Sequence, residues 1–108
     1  TMITAHKVME ITDDNFNKTI AQGVTLVDFW APWCGPCRIQ GPILENVASV
    51  MDDVTIAKLN VDENQRTASE YQVFSIPTLI IFKDGEPVKM MIGVQSAESL
   101  VKTLDEVK

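Results

Sequence analysis

Two cysteines with the spacing Cys-x-x-Cys, Cys34 and Cys37, are the residues of this sequence best suited to chemistry. They lie in the segment Trp33-Cys34-Gly35-Pro36-Cys37, at a predicted junction between a buried strand and a helix. A thiol at a helix N-terminus faces free backbone amides and the positive end of the helix dipole, so we expect it to ionise readily. Pro36 stiffens the loop, and the spacing brings the two sulfurs within bonding range. The motif predicts dithiol–disulfide exchange, with Cys34 as an exposed attacking thiol and Cys37 as a shielded resolving thiol.

Three other roles for the cysteine pair are open at this point. A structural disulfide that closes so small a loop would contribute on the order of 2 kcal/mol. A chain with 45% hydrophobic residues can build its core without it. The pair could also be half of a zinc or iron–sulfur site that a second chain completes, or two inert buried thiols. The intervening Gly-Pro and the strand-to-helix junction favour redox chemistry over these roles.

Length and composition limit the classes of protein that the chain could represent. Its 108 residues, of which 22% are charged, predict one globular domain over residues 1–108. The net charge of −6 argues against binding to nucleic acids or membranes, and the apolar runs are too short for a membrane helix. Two cysteines and one histidine are too few for a closed zinc site, and the scattered glycines form no nucleotide-binding motif. We interpret His6 as a solvated terminal residue, and the lack of an export signal predicts a cytoplasmic location.

The hydrophobic pattern alternates between strand-like and helix-like periods, in the order β-α-β-α-β-α-β-β-α. Alternating units imply parallel strands with right-handed crossovers, and the turn at Asp84-Gly85 adds an antiparallel hairpin. The pattern therefore predicts an α/β fold with a mixed sheet of about five strands. The predicted strands cover residues 7–11, 24–30, 54–61, 78–82 and 88–92, and the second helix runs from Cys34 to about Met51.

Local signals also predict how the helices begin and which residues they bury. Thr12 and Ser96 are candidate N-caps of the first and last helices. Asp62 and Gln65 have the spacing of a capping box for the third helix, and Pro42 should kink the second. The helical residues expected to face the core are Phe16, Ile20, Ile39, Ile43, Leu44, Val47, Val50, Ala68, Tyr71, Leu100, Val101, Leu104 and Val107.

At the cysteine motif the chain resembles the thioredoxin family. The resemblance runs from about Val8 to the C-terminus and is carried by Asp28-Phe29-Trp30-Ala31-Pro32-Trp33-Cys34-Gly35-Pro36-Cys37-Arg38, Pro42, Lys58, Ser75-Ile76-Pro77-Thr78, Gly85 and Gly93. It implies a thioredoxin fold, in which four helices flank a central mixed five-stranded sheet. It also implies a protein-disulfide reductase whose redox centre is Cys34 and Cys37, with Gly35 and Pro36 between them.

Three residues outside the motif have both an ordinary interpretation and one implied by the resemblance. Asp28 interrupts an apolar run, so either the strand is misassigned or a carboxyl is buried with a raised pKa. The resemblance implies that Asp28 transfers protons for Cys37 through water. Lys58 is typical of a snorkelling edge lysine, whereas the resemblance places its ammonium near Asp28, where it tunes that carboxyl. Pro77 suits an ordinary strand start, whereas the resemblance implies a cis bond facing the disulfide.

The resemblance further implies a groove for substrate. The cis bond would leave the Ile76 backbone free to pair with an extended peptide, which is recognition by strand addition. Trp33 would provide an exposed apolar contact, and Trp30 would pack beneath the site. The other groove residues would be Pro77, Ile92, Val94 and Gly93, where a side chain would obstruct the groove, with Val61 and Asp62 at the opposite edge.

The implied partners are a thioredoxin reductase and disulfide-containing targets such as ribonucleotide reductase, peroxiredoxin and methionine sulfoxide reductase. No metal or organic cofactor is expected because the cysteines are the redox centre, and NADPH would act only through the reductase. We expect a monomer, although Trp33 and Ile76 could support weak self-association. The alternative functions are a thiol oxidase or isomerase of the same fold and an interaction module without redox activity. The Gly-Pro pair and the absence of a histidine between the cysteines favour a reductant.

Two parts of the chain depart from the family pattern. Gln40 and Gly41 stand where many thioredoxins have an apolar residue and an alanine. Gly41 followed by Pro42 should therefore loosen the second helix. Residues Thr1 to His6 have no family counterpart, and the interpretations left open for this leader are a native segment, a disordered one or one added by cloning.

Overall fold

The computed structural model describes residues 7–108, and the predictions for the leader and for His6 lie outside them. Within these residues the helices and strands follow the predicted order. The strands are β1 (Met9–Ile11), β2 (Val24–Trp30), β3 (Thr55–Asn60), β4 (Thr78–Lys83) and β5 (Glu86–Ile92). The helices are α1 (Phe16–Ile20), α2 (Gly35–Val50), α3 (Gln65–Glu70) and α4 (Ala97–Val107).

The five strands form one mixed sheet in the order β1-β3-β2-β4-β5. The strand β2 lies at its centre, parallel to β3 and antiparallel to β4. In this register Asp28 is opposite Lys58 on one side and Leu79 on the other. The predicted five-stranded mixed sheet with four helices is confirmed. Because β2 is central, the residues that follow it emerge from the middle of the sheet.

Apolar side chains cover both faces of the sheet, as the nearly continuous hydrophobic run of β2 predicts. Leu26 points to the face covered by α2 and α4, and Val27 points to the face covered by α1 and α3. Successive side chains of a strand alternate between faces, so Asp28 shares the α2 face with Leu26. The carboxyl group of Asp28 therefore lies on the same side of the sheet as α2, the helix that contains Cys37.

The turn of the hairpin and the N-cap of the last helix lie at the predicted residues. Asp84 and Gly85 form the tight turn between β4 and β5, with φ angles of 51° and 89°. The strands extend to Lys83 and from Glu86, beyond the predicted bounds, because only these two residues are needed for the turn. Ser96 caps α4, since its hydroxyl oxygen accepts a hydrogen bond of 3.1 Å from the backbone N–H of Ser99.

Two predicted helix caps are wrong. Thr12 does not cap α1; its backbone N–H donates to the side chain of Asn15 at 2.7 Å, and the helix begins after that residue. The capping box of Asp62 and Gln65 does not form either, because Gln65 is itself the first residue of α3. Its side-chain amide donates only to the backbone oxygen of Asp62, at 3.5 Å.

The N-terminus of α3 is capped instead by a residue distant in sequence. Oδ1 of Asp13 accepts hydrogen bonds from the backbone N–H of Thr67 at 2.9 Å and from its hydroxyl at 2.6 Å. Burial by itself would raise the pKa of Asp13, but these bonds and the nearby Arg66 lower it. The contact joins the loop after β1 to α3 and so fixes the position of that helix against the sheet.

The predicted inner face of α2 is partly wrong. Leu44 and Val47 are buried as expected, but Ile39 and Val50 are exposed. The inward positions follow the spacing 37, 40, 44, 47 and 48, so the polar Gln40 takes a core position that an apolar residue would normally fill. The helix continues through Pro42 to Val50, and the kink at that proline stays a prediction.

Candidate active site

The cysteine pair lies where β2 ends and α2 begins. Cys34 is the N-cap of α2 and is disulfide-bonded to Cys37 in the first turn, with 5.2 Å between the two Cα atoms. The backbone N–H of Cys37 donates to Sγ of Cys34 at 3.2 Å. In the reduced protein this donor and the helix dipole would both stabilise negative charge on Sγ of Cys34.

The prediction that Cys34 is the exposed member of the pair is wrong for the oxidised protein. Cys34 is 4% exposed and Cys37 is 5% exposed, so both are buried. Cys34 packs in a small apolar cluster that includes Ala31 and Ile76, and its Sγ lies 3.7 Å from the carbonyl oxygen of Ile76. The two sulfurs thus differ in their position on the helix and in their neighbours, and not in overall exposure.

The carboxyl group of Asp28 is buried, which excludes a misassigned strand. Asp28 is 2% exposed, and its Oδ1 accepts no hydrogen bond from the described part of the protein. Burial raises the pKa of Asp28 to about 7, while the positive charge of Lys58 acts in the opposite direction. A carboxyl group with such a pKa can take up or release a proton near neutrality.

Lys58 is not the edge lysine of the ordinary interpretation, because β3 lies between β1 and β2. It is opposite Asp28 in the strand register. Its ammonium group lies 4.9 Å from the centroid of the Trp30 ring, a cation–π arrangement. The two side chains form no ion pair, so Lys58 acts on the carboxyl group through space.

The Ile76–Pro77 peptide bond is cis, as the resemblance implies. Its two residues connect the redox pair to the segment after β5. The carbonyl oxygen of Ile76 faces Sγ of Cys34, and the carbonyl oxygen of Pro77 accepts a hydrogen bond of 2.9 Å from the N–H of Gly93. The structure thereby brings together three predicted parts of the site that are distant in sequence.

An apolar surface surrounds the redox pair. A groove of about 340 Å³ is lined by Trp33, Val61, Val73, Phe74, Ser75 and Ile76. The indole N–H of Trp33 donates to Oδ2 of Asp62 at 2.9 Å, which holds the exposed ring at one side of this groove. Ile92 and Val94 are also exposed, on the segment next to Pro77. The surface is therefore wider than the cysteine loop itself.

The backbone conformation gives a second reason for a glycine at position 93, besides the predicted obstruction of the groove. A Cβ atom at Gly93 would meet no atom of the chain within 4 Å. The constraint visible in the structure is the φ angle of 91°, which L-residues with a side chain rarely adopt. Whether a side chain there would obstruct a bound peptide stays a prediction.

Sequence reasoning missed Phe74 and the inward position of Gln40. Phe74 is 89% exposed and lies in the groove beside Trp33. The feature of the sequence that could have revealed Phe74 is an aromatic residue in the loop before Ile76-Pro77, outside any periodic segment. Gln40 is fully buried and bonds to the backbone of Gln95. The feature that could have revealed the inward position of Gln40 is its helical spacing of three residues from Cys37, on the same face of α2.

Other kinds of site find no support in residues 7–108. No three or more His, Cys, Asp or Glu side chains come together there in a way that could hold a metal ion. None of the helices described is both long and apolar enough to span a bilayer. A groove of about 700 Å³ that follows α4 between Ala97 and Glu106 has no cysteine or histidine in its lining.

Comparisons with known proteins agree with this geometry. The family model described as Thioredoxin matches residues 7–106. Thioredoxins of Staphylococcus haemolyticus and Staphylococcus aureus are 52% and 49% identical over 100 residues, which make up 92% of this chain and 96% of each relative. A mutant thioredoxin from Halobacterium salinarum has a TM-score of 0.89 at 33% identity, covering 98% of this chain and 95% of the other. For a Malassezia sympodialis thioredoxin the TM-score is 0.85 at 30% identity, with the same coverage.

Proposed function

Since the chain belongs to the thioredoxin family, we propose that Cys34 is the nucleophile and Cys37 the resolving thiol of its disulfide chemistry. The protein is a thiol–disulfide oxidoreductase that reduces protein disulfides through this pair. The single observation that carries the assignment of roles is the place of Cys34 at the N-cap of α2, where Sγ accepts the N–H of Cys37. An attacking thiolate is stabilised at that position, and Cys37 lies deeper in the helix.

The reaction runs in two exchanges. The Cys34 thiolate attacks one sulfur of the target disulfide, which forms a mixed disulfide and releases the other target sulfur as a thiolate. The Cys37 thiolate then attacks Sγ of Cys34, and the remaining target sulfur leaves. The target gains two electrons and two protons in total, and the Cys34–Cys37 disulfide is formed. Gly35 and Pro36 keep the two sulfurs close during both exchanges.

We assign the proton transfer of the second exchange to Asp28. Its carboxyl group lies on the α2 face of the sheet, and burial raises its pKa to about 7. The ionised form can accept the proton of Cys37 through water, and the neutral form can return it to a leaving thiolate. Lys58 opposes the rise in pKa and so keeps Asp28 in the range where both forms are populated.

We place the target polypeptide in the groove beside the redox pair. Ile76 and Pro77 would offer backbone pairing to an extended chain close to Sγ of Cys34, with Gly93 across from them. Trp33, Ile92 and Val94 would supply apolar contacts. We add Phe74 to this set, because an aromatic ring so exposed beside Trp33 is suited to bury a target side chain.

The partners follow from the same assignment. We propose re-reduction by a thioredoxin reductase, with NADPH as its electron source and no cofactor bound by this chain. Targets of the classes of ribonucleotide reductase, peroxiredoxin and methionine sulfoxide reductase would be the natural substrates. We further propose that the chain acts in the cytoplasm as a monomer with a single domain.

Insulin reduction tests the proposal. The purified protein, supplied with NADPH and a bacterial thioredoxin reductase, should reduce insulin disulfides, and Cys34→Ser should abolish turnover. Asp28→Asn should slow release of the mixed disulfide above pH 7 and leave the first attack unchanged. Absence of turnover with dithiothreitol as well as with the reductase would refute the function. Turnover with dithiothreitol alone would refute only the choice of reductase.

A further inference from the structure

Gln40 connects α2, the helix that contains Cys37, to the segment that follows β5. It lies three residues after Cys37 on the same side of α2 and is 0% exposed. Its Oε1 accepts the backbone N–H of Gln95 at 2.7 Å, and its Nε2 donates to the backbone oxygen of Gln95 at 3.0 Å. Both polar atoms of this buried side-chain amide are thus bonded to one residue of the connection between β5 and α4.

The bonds continue from Gln95 back to the redox pair. The side chain of Gln95 donates to the carbonyl oxygen of Gly93 at 3.2 Å. The N–H of Gly93 donates in turn to Pro77 at 2.9 Å, and the neighbouring Ile76 oxygen lies 3.7 Å from Sγ of Cys34. These contacts connect Gln40, by way of Gln95, with the Ile76–Pro77 backbone beside Sγ of Cys34.

The first half of the segment from Ile92 to Gln95 is held by β4, through the pairing of Ile92 with Thr78 and the bond from Gly93 to Pro77, and Gln40 holds its far end at Gln95. Ile92 and Val94 are exposed, and β5 is the last strand of the sheet, with no neighbour beyond it in the described residues. Glutamine is also a specific choice here, because one side chain must accept from an N–H and donate to a C=O. An apolar residue at position 40 would leave both backbone groups of Gln95 without this partner.

We propose that Gln40 is a positioning residue that holds the Ile92–Gln95 segment in the place where a target polypeptide binds. This role rests on the proposed substrate groove. The residue acts through the affinity for protein targets and not through the reactivity of Cys34, which it does not contact. It explains why a polar residue occupies a core position of α2.

The test separates binding of a polypeptide from thiol reactivity. Gln40→Leu keeps a similar volume and suits a helix, but it removes both hydrogen bonds. We expect KM for insulin to rise about tenfold, the effect of losing one or two hydrogen bonds, while kcat changes less than about twofold. The rate with a small disulfide such as hydroxyethyl disulfide, which needs no groove, should stay within about twofold of the wild type, given this role. Gln22→Leu makes the same replacement at an exposed position and should change neither rate.

The variant Gln40→Glu should restore the two hydrogen bonds to Gln95 when its side chain is neutral. The neutral carboxylic acid of Gln40→Glu can accept and donate as the amide does, whereas the ionised form cannot donate. Because position 40 is fully buried, we expect the pKa of this new carboxyl group to lie well above its ordinary value of about 4.3. Relative to the wild type at each pH, its KM should then be near normal at pH 5.5, where the acid is neutral, and raised at pH 8.5. An unchanged KM in Gln40→Leu, or equal losses with insulin and the small disulfide, would overturn the positioning role.

Two further results distinguish a failure of the Gln40 role from a failure of the proposed function and from a variant that does not fold. A wild type that fails to reduce insulin refutes the function itself, whereas an active wild type with unaffected Gln40 variants refutes only the role of Gln40. If Gln40→Leu does not fold, amide hydrogen exchange of the wild type decides. Slow exchange of the Gln95 N–H supports the bond to Gln40, and exchange at the rate of a free amide contradicts it.

Discussion

The buried carboxyl group of Asp28 should make the protein less stable as the pH rises. Asp28 lies in the central strand beneath α2, and its ionised form would lack the hydrogen bonds that water gives it in the unfolded chain. Replacement by asparagine keeps the size and polarity of the side chain but removes its ability to ionise. Asp28→Asn should therefore remove the pH dependence that this one group causes.

The size of the effect follows from the pKa. Burial raises the pKa of Asp28 from 3.8 to about 7. A change of one in pKa corresponds to about 1.4 kcal/mol, so ionised Asp28 lowers the free energy of unfolding by about 4 kcal/mol. Between these two pKa values the folded protein binds more protons than the unfolded chain, so stability falls as the pH rises through this window. Below pH 3.8 the carboxyl group is neutral in both states and has no such effect.

Urea unfolding of the oxidised protein at several pH values between 4 and 9 measures this directly. At pH 4 the wild type and Asp28→Asn should have similar free energies of unfolding, and at pH 8.5 the variant should be more stable by up to about 4 kcal/mol. Asp52→Asn, which makes the same chemical change at an exposed position, controls for the loss of one negative charge. If the stabilities of the wild type and Asp28→Asn change in parallel with pH, the raised pKa of Asp28 is refuted.

Three further outcomes are expected. Cys37→Ser should accumulate a mixed disulfide with a target protein, visible on a non-reducing gel and lost when dithiothreitol is added; no adduct would contradict Cys34 as the nucleophile. Phe74→Ala should raise KM for insulin about fivefold, as for a contact of about 1 kcal/mol, without changing the urea midpoint. Asp13→Ala should lower the free energy of unfolding by about 1–2 kcal/mol at pH 7, because Thr67 loses both bonds. Since the pKa of Asp13 is lowered, this difference should shrink below pH 4, and an equal difference at pH 3 and pH 7 would contradict it.

Local patterns were sufficient for the parts of the fold that depend on neighbours in sequence. The apolar run of β2, the turn at Asp84-Gly85 and the cap at Ser96 all form as predicted. The cap of α3 could not be predicted in this way. Asp13 and Thr67 are 54 residues apart, and only the folded chain brings them together. The capping-box spacing of nearby residues was therefore a misleading signal.

In the active site, too, features set by neighbours in sequence could be predicted and features set by distant residues could not. The positions of Cys34 and Cys37 follow from the motif and the strand-to-helix junction, and the burial of Asp28 was one of two stated alternatives. The burial of Cys34 was missed because Ile76, which covers it, arrives from a different part of the chain. The inward position of Gln40 was missed because its amide is satisfied by a backbone segment 55 residues away.

The two borders of the sheet have a consequence for a protein that accepts extended polypeptides. A long, regular border strand would pair with any unfolded chain and lead to aggregation. One border, β1, has only three residues, Met9–Ile11. The other, β5, contains Pro87, which lacks a backbone N–H, and Lys89, and its register against β4 shifts between Ile81 and Phe82. Unfolded chains therefore find few unpaired strands to join, which would leave the backbone beside the disulfide as the preferred place for them to bind.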